Sequence, residues 1–413
     1  MYQEKFCRYL KEKKTCNIEK NKYHAFEILA LVLLVMMAMD FKTRVYYISF
    51  VLFGLIVVLR HKELCINRVV IPSIVLAVSM CLFSKSLRND ELGIIRPIAF
   101  PMCILIGYNL VEPGTVSNVE KKVKWIIIAL AIGSYGHYLL NMLNNLGKNV
   151  DRNTIDYWTS SPLSATGQSA LSGIMLGTAI SYVFSNTKPI LRIIYTGVIL
   201  SVLYYNLILG GRMVFVLAIV MIICNLLGNW YEKKTINKRI QGLLVVSFVT
   251  ITIYLVIKNN VFGIVDVFNN SNFYQRFFGE NSAGRLREDN RLLYKSLYIN
   301  NMMSYPFGGD ELRQAVGNHF AHDIILDTYS DAGFFAAIAI IVMIINTIRR
   351  CISLHSISNV SYLTKRIIYN VSFAIFSIFM LEAILEGVPW FFMCFCVIYG
   401  AIARLVSQVE QIM

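Results

Sequence analysis

Long apolar stretches alternate with short polar turns along nearly the whole chain. Each stretch is close to the length of about 20 residues that a helix needs to cross about 30 Å of hydrocarbon. The alternating pattern of a transmembrane barrel is absent. The pattern predicts an all-α polytopic membrane protein of about twelve transmembrane helices. These lie near residues 25–41, 45–59, 67–83, 92–111, 123–143, 165–185, 190–209, 212–229, 240–257, 321–347, 364–385 and 388–408.

Three prolines lie inside or next to these stretches. Pro72, Pro97 and Pro101 each remove a backbone donor and clash with the preceding helical turn. We therefore expect bent helices in the third and fourth spans.

The composition agrees with a membrane protein. Hydrophobic residues make up 56% of the 413 residues, and charged residues make up 15%, against roughly 25% in soluble domains. The net charge of +14 is explained by lysines and arginines that hold loops on the cytoplasmic side, and it does not indicate a nucleic-acid partner. Their placement predicts that both termini are cytoplasmic.

Two loops on the predicted outer side are long, 144–164 and 258–320. The chain is thus predicted to be one integral membrane domain with one large extracytoplasmic loop between the ninth and tenth spans. The preference of lysine and arginine for the cytoplasmic side applies to short loops and not to long ones. The cations of 258–320 therefore need another explanation. They are Arg276, Arg285, Arg287, Arg291, Lys295 and Arg313. Surface ion pairs with nearby acidic residues are one explanation, and a functional site is the other.

Two arginines lie within or beside the apolar spans. Arg212 opens the eighth span after a short turn, Gly210-Gly211. It either reaches to lipid phosphates or acts as an anion clamp, because guanidinium presents a planar fork of donors. Arg96 lies deeper, in the fourth span, where a charge usually faces the bundle interior. It either pairs with Glu382 or Glu386 or takes part in binding substrate.

Histidines gather where the large loop meets the tenth span. His319 and His322 are three residues apart, so they share one face if the helix already includes them. Histidine is well suited to proton transfer near pH 7. Asp323 follows directly, in a position that the helix dipole also favours. These residues offer too few well-spaced ligands for a metal site, and the scattered cysteines indicate neither zinc nor disulfides.

Other motifs restrict the chemistry. Gln168 lies in a stretch of small polar residues that either packs closely against another helix or contacts a sugar. No nucleotide-binding loop is present. A nucleotide-driven pump and a transferase that uses a nucleotide-sugar donor are therefore disfavoured.

Three features resemble the superfamily of O-antigen polymerases and O-antigen ligases. The first is Gly210-Gly211-Arg212 at the start of a span. The second is Arg291 with Tyr294 and Leu297, followed by Tyr305-Pro306-Phe307-Gly308-Gly309. The third is Ala321-His322-Asp323, followed by Leu326, Tyr329 and Asp331-Ala332-Gly333. Their order and the predicted topology cover most of the chain.

The chain also departs from the family pattern at three places. Gly211 replaces the commoner serine, Asp323 replaces the commoner asparagine, and Asp289-Asn290 precede Arg291. Arg285 is an alternative for the loop arginine, because its Gly-Arg context fits better although its distance to Pro306 fits worse.

The resemblance implies a GT-C type glycosyltransferase fold in the bacterial inner membrane, with no cofactor and no metal. Its donor and acceptor would be oligosaccharides on undecaprenyl pyrophosphate, and a chain-length regulator protein is a further partner that it allows. Arg212 and Arg291 would bind the diphosphate, with Arg285, Arg96, Arg313 and Gln168 as further substrate contacts. His322 would act on the acceptor hydroxyl, and Asp323 or His319 would orient its ring.

The resemblance leaves three activities open. The favoured one is a polymerase that transfers a glycan chain onto a lipid-linked repeat unit at the outer face of the membrane. A ligase that transfers the chain onto lipid A core shares the same fold and donor. A lipid-linked oligosaccharide flippase is disfavoured because the charges concentrate in one loop.

Overall fold

Helices form nearly all of the regular structure in the part of the chain that the computed structural model describes. That part comprises residues 25–60, 64–84, 93–148, 153–185, 187–232, 269, 274 and 291–412. Its helices, in chain order, are α1 (Ala25–Ala38), α2 (Val45–Arg60), α3 (Ile71–Phe83), α4 (Ile95–Leu110), α5 (Val116–Asn144), α6 (Ala165–Val183), α7 (Pro189–Leu209), α8 (Arg212–Glu232), α9 (Arg291–Asn301), α10 (Asp310–Ala315), α11 (Ile324–Ser356), α12 (Tyr362–Phe379), α13 (Ile384–Gly387) and α14 (Pro389–Ile412). Strands β1 (Asn153–Ile155) and β2 (Pro162–Ser164) form an antiparallel hairpin with Thr154 opposite Leu163.

The helices support the prediction of an all-α membrane protein. Within the described residues, α5, α7, α11 and α14 are long and apolar enough to cross a membrane. Shorter apolar helices cover Ala25–Ala38, Val45–Leu59, Arg68–Phe83, Ile95–Leu110 and Arg212–Gly228. Twelve spans and a glycosyltransferase fold stay predictions, and the ninth predicted span, 240–257, lies outside the described residues.

The chain reverses direction between successive long helices, which gives the bundle two ends. The β1–β2 hairpin connects α5 to α6, and the turn Gly210–Gly211 connects α7 to α8. Helices α6 and α8 begin, and α12 ends, beside one shared cavity. We call this the hairpin end. The turns between α4 and α5 and between α11 and α12 lie at the opposite end.

Close packing in the core depends on glycines where helices cross. Helices α4 and α14 pack extensively against each other, and α14 is buried along most of its length. A methyl group on Gly107 would overlap the carbonyl of Val397, and one on Gly400 would overlap the carbonyl of Ile104. Because both residues lack a side chain, the two backbones approach closely, as is common between membrane helices.

Two of the three prolines lie in the first turn of a helix. Pro72 lies in the first turn of α3, where an amide has no acceptor within the helix. The bend predicted there stays a prediction. Pro97 is also in the first turn of its helix, whereas Pro101 lies inside α4.

Helix α11 is interrupted at Gly333, and a segment of the large loop fills the interruption. Gly333 has φ 79° and ψ −171°, which is not helical and suits glycine. The segment Pro306–Gly309 lies at this point. The amide of Gly309 donates to the Ser330 carbonyl at 2.6 Å, and the amide of Phe334 donates to the Pro306 carbonyl at 2.9 Å. Groups on both sides of the break thus find partners.

We predict that Gly107→Ala destabilises the bundle although alanine favours helix formation. The added methyl group has to push α4 away from α14, which costs roughly 1–3 kcal/mol by analogy with overpacked cores. The thermal unfolding midpoint of the protein in detergent should fall. The matched control is Gly54→Ala in α2, where the new methyl group meets no atom within 4 Å. Equal midpoints for the two variants would contradict the prediction.

Candidate functional site

A cavity of about 500 Å³ opens at the hairpin end, and it contains two of the predicted arginines. Arg212 begins α8, and Arg291 begins α9. The two arginines are far apart in the sequence, and each is half-buried. Other lining residues come from the start of α6 and the end of α12: Ala165, Thr166, Ser169, Phe373, Ser377, Met380 and Leu381.

The turn before α8 places Arg212 at this cavity. Gly210 adopts a left-handed conformation at the end of α7, with φ 67°. The amide of Gly211 donates to the carbonyl of Asn206 at 2.9 Å. A Cβ on Gly211 would lie 2.6 Å from Oδ1 of Asn206. The buried Asn206 side chain thus leaves little room for a side chain at position 211.

Helix α9 is held against the bundle by Lys295. Its Nζ donates to Oδ2 of Asp323 at 3.0 Å and to the carbonyl of Met380 at 3.1 Å. Lys295 lies four residues after Arg291, so the two cations share one face of α9. Sequence reasoning recognised Lys295 only as one cation of the large loop. Its spacing from Arg291 was the signal that could have identified it.

The loop before α11 holds His322 in an unusual conformation. His322 has φ 52°, a region that non-glycine residues rarely adopt. Asp327 accepts hydrogen bonds from the amides on either side, with 2.8 Å from Ala321 to Oδ1 and 3.0 Å from Asp323 to Oδ2. The half-buried His322 is thus fixed by a carboxylate one turn into the helix. It does not itself line the cavity of the two arginines.

His319 and His322 do not meet the condition for a shared helical face, because α11 begins only at Ile324. Asp323 caps this helix, since its Oδ1 accepts from the amides of Ile325 and Leu326. Its Oδ2 is paired with Lys295, which connects this loop to the edge of the cavity. His319 is exposed, and its ring stacks on Tyr294 with 4.2 Å between the centroids.

Three further predicted contact residues, Arg96, Arg313 and Gln168, are not part of the cavity lining. The Arg96 guanidinium lies over the ring of Tyr46 at 5.6 Å, and Arg313 lies over Phe320 at 5.0 Å. Gln168 is fully buried, and its Nε2 donates to Thr154 of the hairpin at 2.8 Å. Arg285 lies outside the described residues. The predicted pairing of Arg96 with Glu382 or Glu386 stays a prediction.

A buried histidine–aspartate hydrogen bond, not anticipated from the sequence, fastens the hairpin to the bundle. Nε2 of His137 in α5 lies 2.7 Å from Oδ2 of Asp156, which follows β1. Oδ1 of Asp156 accepts from the amides of Trp158 and Thr159. A histidine inside an apolar span was the available signal, because such a residue usually needs a partner. The pair positions the hairpin, whose second strand leads directly into α6 and hence to the cavity.

The surroundings of Asp156 shift its pKa in one direction. Burial alone would raise the pKa of Asp156, but the hydrogen bond and charge of His137 and the bonds from Thr159 outweigh it and lower this pKa below its usual range. The ionised form is therefore the one that the folded protein stabilises.

The cavity favours an anion at its polar side. Helices α6 and α8 both begin there, and the start of a helix carries about half a positive charge. Two guanidinium groups add to this field, and Thr166, Ser169 and Ser377 supply hydroxyl groups. Among the described residues, no three His, Cys, Asp or Glu side chains converge as metal ligands. The arrangement can bind an anion with several oxygens, such as a phosphate or diphosphate.

Comparison with known proteins adds no relative: no protein-family model matches the chain, and no curated protein matches it. The family resemblance therefore stays a hypothesis that depends on the motifs.

We predict that Asp156→Asn destabilises the protein by about 2 kcal/mol at neutral pH, because it removes the ionised acceptor that His137, Trp158 and Thr159 contact. Since the folded state lowers the pKa of Asp156, its contribution is present above the ordinary value of 3.8 and is lost as the pH falls through the folded value. The difference between variant and parent should shrink below pH 4. Denaturant titrations at several pH values measure it, and a constant difference would contradict the assignment.

Proposed function

We propose that the protein is a membrane glycosyltransferase that polymerises a surface polysaccharide. It would transfer a glycan chain from undecaprenyl pyrophosphate onto a lipid-linked repeat unit at the outer face of the bacterial inner membrane. The observation that carries the proposal is the shared cavity of Arg212 and Arg291, which supports the binding of a carrier diphosphate.

Charge in the cavity matches the donor. Two guanidinium forks offer paired donors to phosphate oxygens, and the starts of α6 and α8 add the positive ends of two helix dipoles. When the bond between the sugar and the diphosphate breaks, negative charge builds up on the leaving group. Fixed cations stabilise that charge more than they stabilise the bound donor, and this lowers the barrier.

The apolar part of the cavity matches the carrier. Met213, Val216, Leu217 and Phe373 line it beside the arginines. The side chains of Val216 and Phe373 are 61% and 40% exposed on the surface of the bundle. A lipid whose head group binds the arginines could therefore pass its tail directly into the surrounding hydrocarbon. A soluble sugar phosphate would gain nothing from these contacts.

His322 is the proposed base. In the transfer, a hydroxyl oxygen of the acceptor sugar forms a bond to the anomeric carbon of the donor, and the carrier diphosphate leaves with the bonding electron pair. The hydroxyl proton would pass to the imidazole of His322. Asp327 fixes the backbone around His322, and Lys295 connects Asp323, its neighbour, to the edge of the cavity. The acceptor would thus bind between the arginines and this loop.

Two other activities remain as alternatives. A ligase would use the same donor but transfer the chain to lipid A core. A flippase would move the lipid-linked oligosaccharide without forming a bond. The concentration of candidate substrate-binding charges in one predicted outer loop favours chemistry on one side of the membrane over alternating access.

The deciding experiment is a cell-free assay with purified protein and two defined lipid-linked repeat units. A ladder of longer lipid-linked products supports the polymerase. Transfer only to added lipid A core identifies a ligase. Movement of lipid between leaflets without any new glycosidic bond identifies a flippase.

We predict that Arg212→Lys and Arg291→Lys each abolish the ladder, because an ammonium group cannot replace a bidentate fork on a diphosphate. Loss of one such donor in a transition state costs roughly a hundredfold or more in rate. The matched control is Arg349→Lys, an exposed residue at the opposite end of the bundle. Normal ladders from both site variants would exclude the arginines as the diphosphate site.

We predict that His322→Ala abolishes the ladder while protein level and membrane insertion stay normal. Because His322 has a positive φ, alanine also strains the backbone. His322→Asn is therefore the second variant, since asparagine tolerates this conformation. Both variants should fail if the imidazole acts as the base. Activity of His322→Asn would show that the position serves only the backbone.

A further inference from the structure

A second cavity, of about 580 Å³, lies at the opposite end of the bundle from the arginines. It is formed by the start of α1, the turn between α4 and α5 and the start of α5. Its charged and aromatic lining residues are Glu27, Glu112, Lys121, Lys122 and Trp125. Its size is typical of small-molecule sites. Nothing in the proposed transfer reaction uses it.

The walls of this cavity divide into a polar side and an apolar side. Ile28 and Leu31 of α1, with Trp125 and Ile126 of α5, form the apolar side. Ile28 is 51% exposed and Trp125 is 49% exposed, so this side is open to the surroundings of the bundle. Tryptophan is enriched at the boundary between hydrocarbon and head groups. A membrane lipid is divided in the same way, into a polar head group and apolar chains.

The charges that line the cavity balance. Lys122 forms an ion pair with Glu27, and the lining also contains the cation Lys121 and the anion Glu112. A lipid with a net negative head group gains little from a lining of zero net charge. A head group that carries both a phosphate and a primary ammonium finds a cation for the first and a carboxylate for the second.

We propose that this cavity binds phosphatidylethanolamine. Its phosphate would lie against Lys121 and its ammonium against Glu112, and one acyl chain would run between α1 and α5 beside Trp125. A choline head group has the same charges but no N–H to donate to a carboxylate, so it should bind more weakly. The site would hold a structural lipid at the end of the bundle away from the transfer reaction.

The test uses the full-length protein in phosphatidylcholine vesicles, and Trp125 serves as the reporter. Lipids with brominated acyl chains quench tryptophan on contact, and the signal of Trp125 is the difference between the parent protein and Trp125→Phe. Brominated phosphatidylethanolamine should quench this signal more strongly than brominated phosphatidylcholine or phosphatidylglycerol at equal mole fraction. Lys121→Ala should weaken the effect by about fivefold, the equivalent of one lysine near a lipid head group. Lys148→Ala, an exposed lysine at the hairpin end, should leave it unchanged.

Every other result overturns the proposal. Equal quenching by the three lipids would mean ordinary contact with the bilayer. Stronger quenching by phosphatidylglycerol would mean an anionic lipid site. Absence of any lipid-dependent quenching would mean that the chain itself fills the cavity, with residues 1–24 as the nearest segment in sequence. Since no readout depends on glycan transfer, failure here is distinct from failure of the proposed function.

Discussion

The interruption of α11 at Gly333 is the constraint on which the hairpin end of the bundle depends. A broken helix leaves backbone groups that need hydrogen-bond partners, and a membrane supplies none. The Pro306–Gly309 segment provides them through the carbonyl of Pro306 and the amide of Gly309. The loop after α9 is thereby fixed to the bundle by main-chain bonds, and these bonds do not depend on which side chains surround them. The position of α9, and with it Arg291, follows from this anchor.

Two polar contacts then refine the position of the site. Lys295 bonds both Asp323 at the start of α11 and the carbonyl at Met380 beyond the end of α12. The His137–Asp156 pair holds the hairpin that leads into α6. The Lys295 contact places a cation beside the loop that contains His322. The His137–Asp156 contact places the start of α6 beside the two arginines. The chemistry proposed for the cavity therefore depends on residues that do not line it.

Much of the fold could be predicted from the sequence, because a membrane allows few ways to satisfy a backbone. The long apolar stretches located most of the described helices, although α11 begins three residues after the predicted boundary because Asp323 caps it. Arg212 could be selected from its place at the start of a span, whereas Arg291 was selected through the family resemblance, with Arg285 as the alternative. The partners Lys295, His137 and Asp156 could not, because they meet only after distant segments pack. For the same reason, Gln168 bonds Thr154 in the hairpin, a contact that no local pattern indicates.

The crowding between Gly211 and Asn206 limits how this turn can change during evolution. A serine at position 211 would need room that the amide of Asn206 now fills, and that amide also bonds the Tyr138 hydroxyl and the Val202 carbonyl. Substitutions at the two positions should therefore be coupled. A larger residue at position 211 would need a smaller one at position 206.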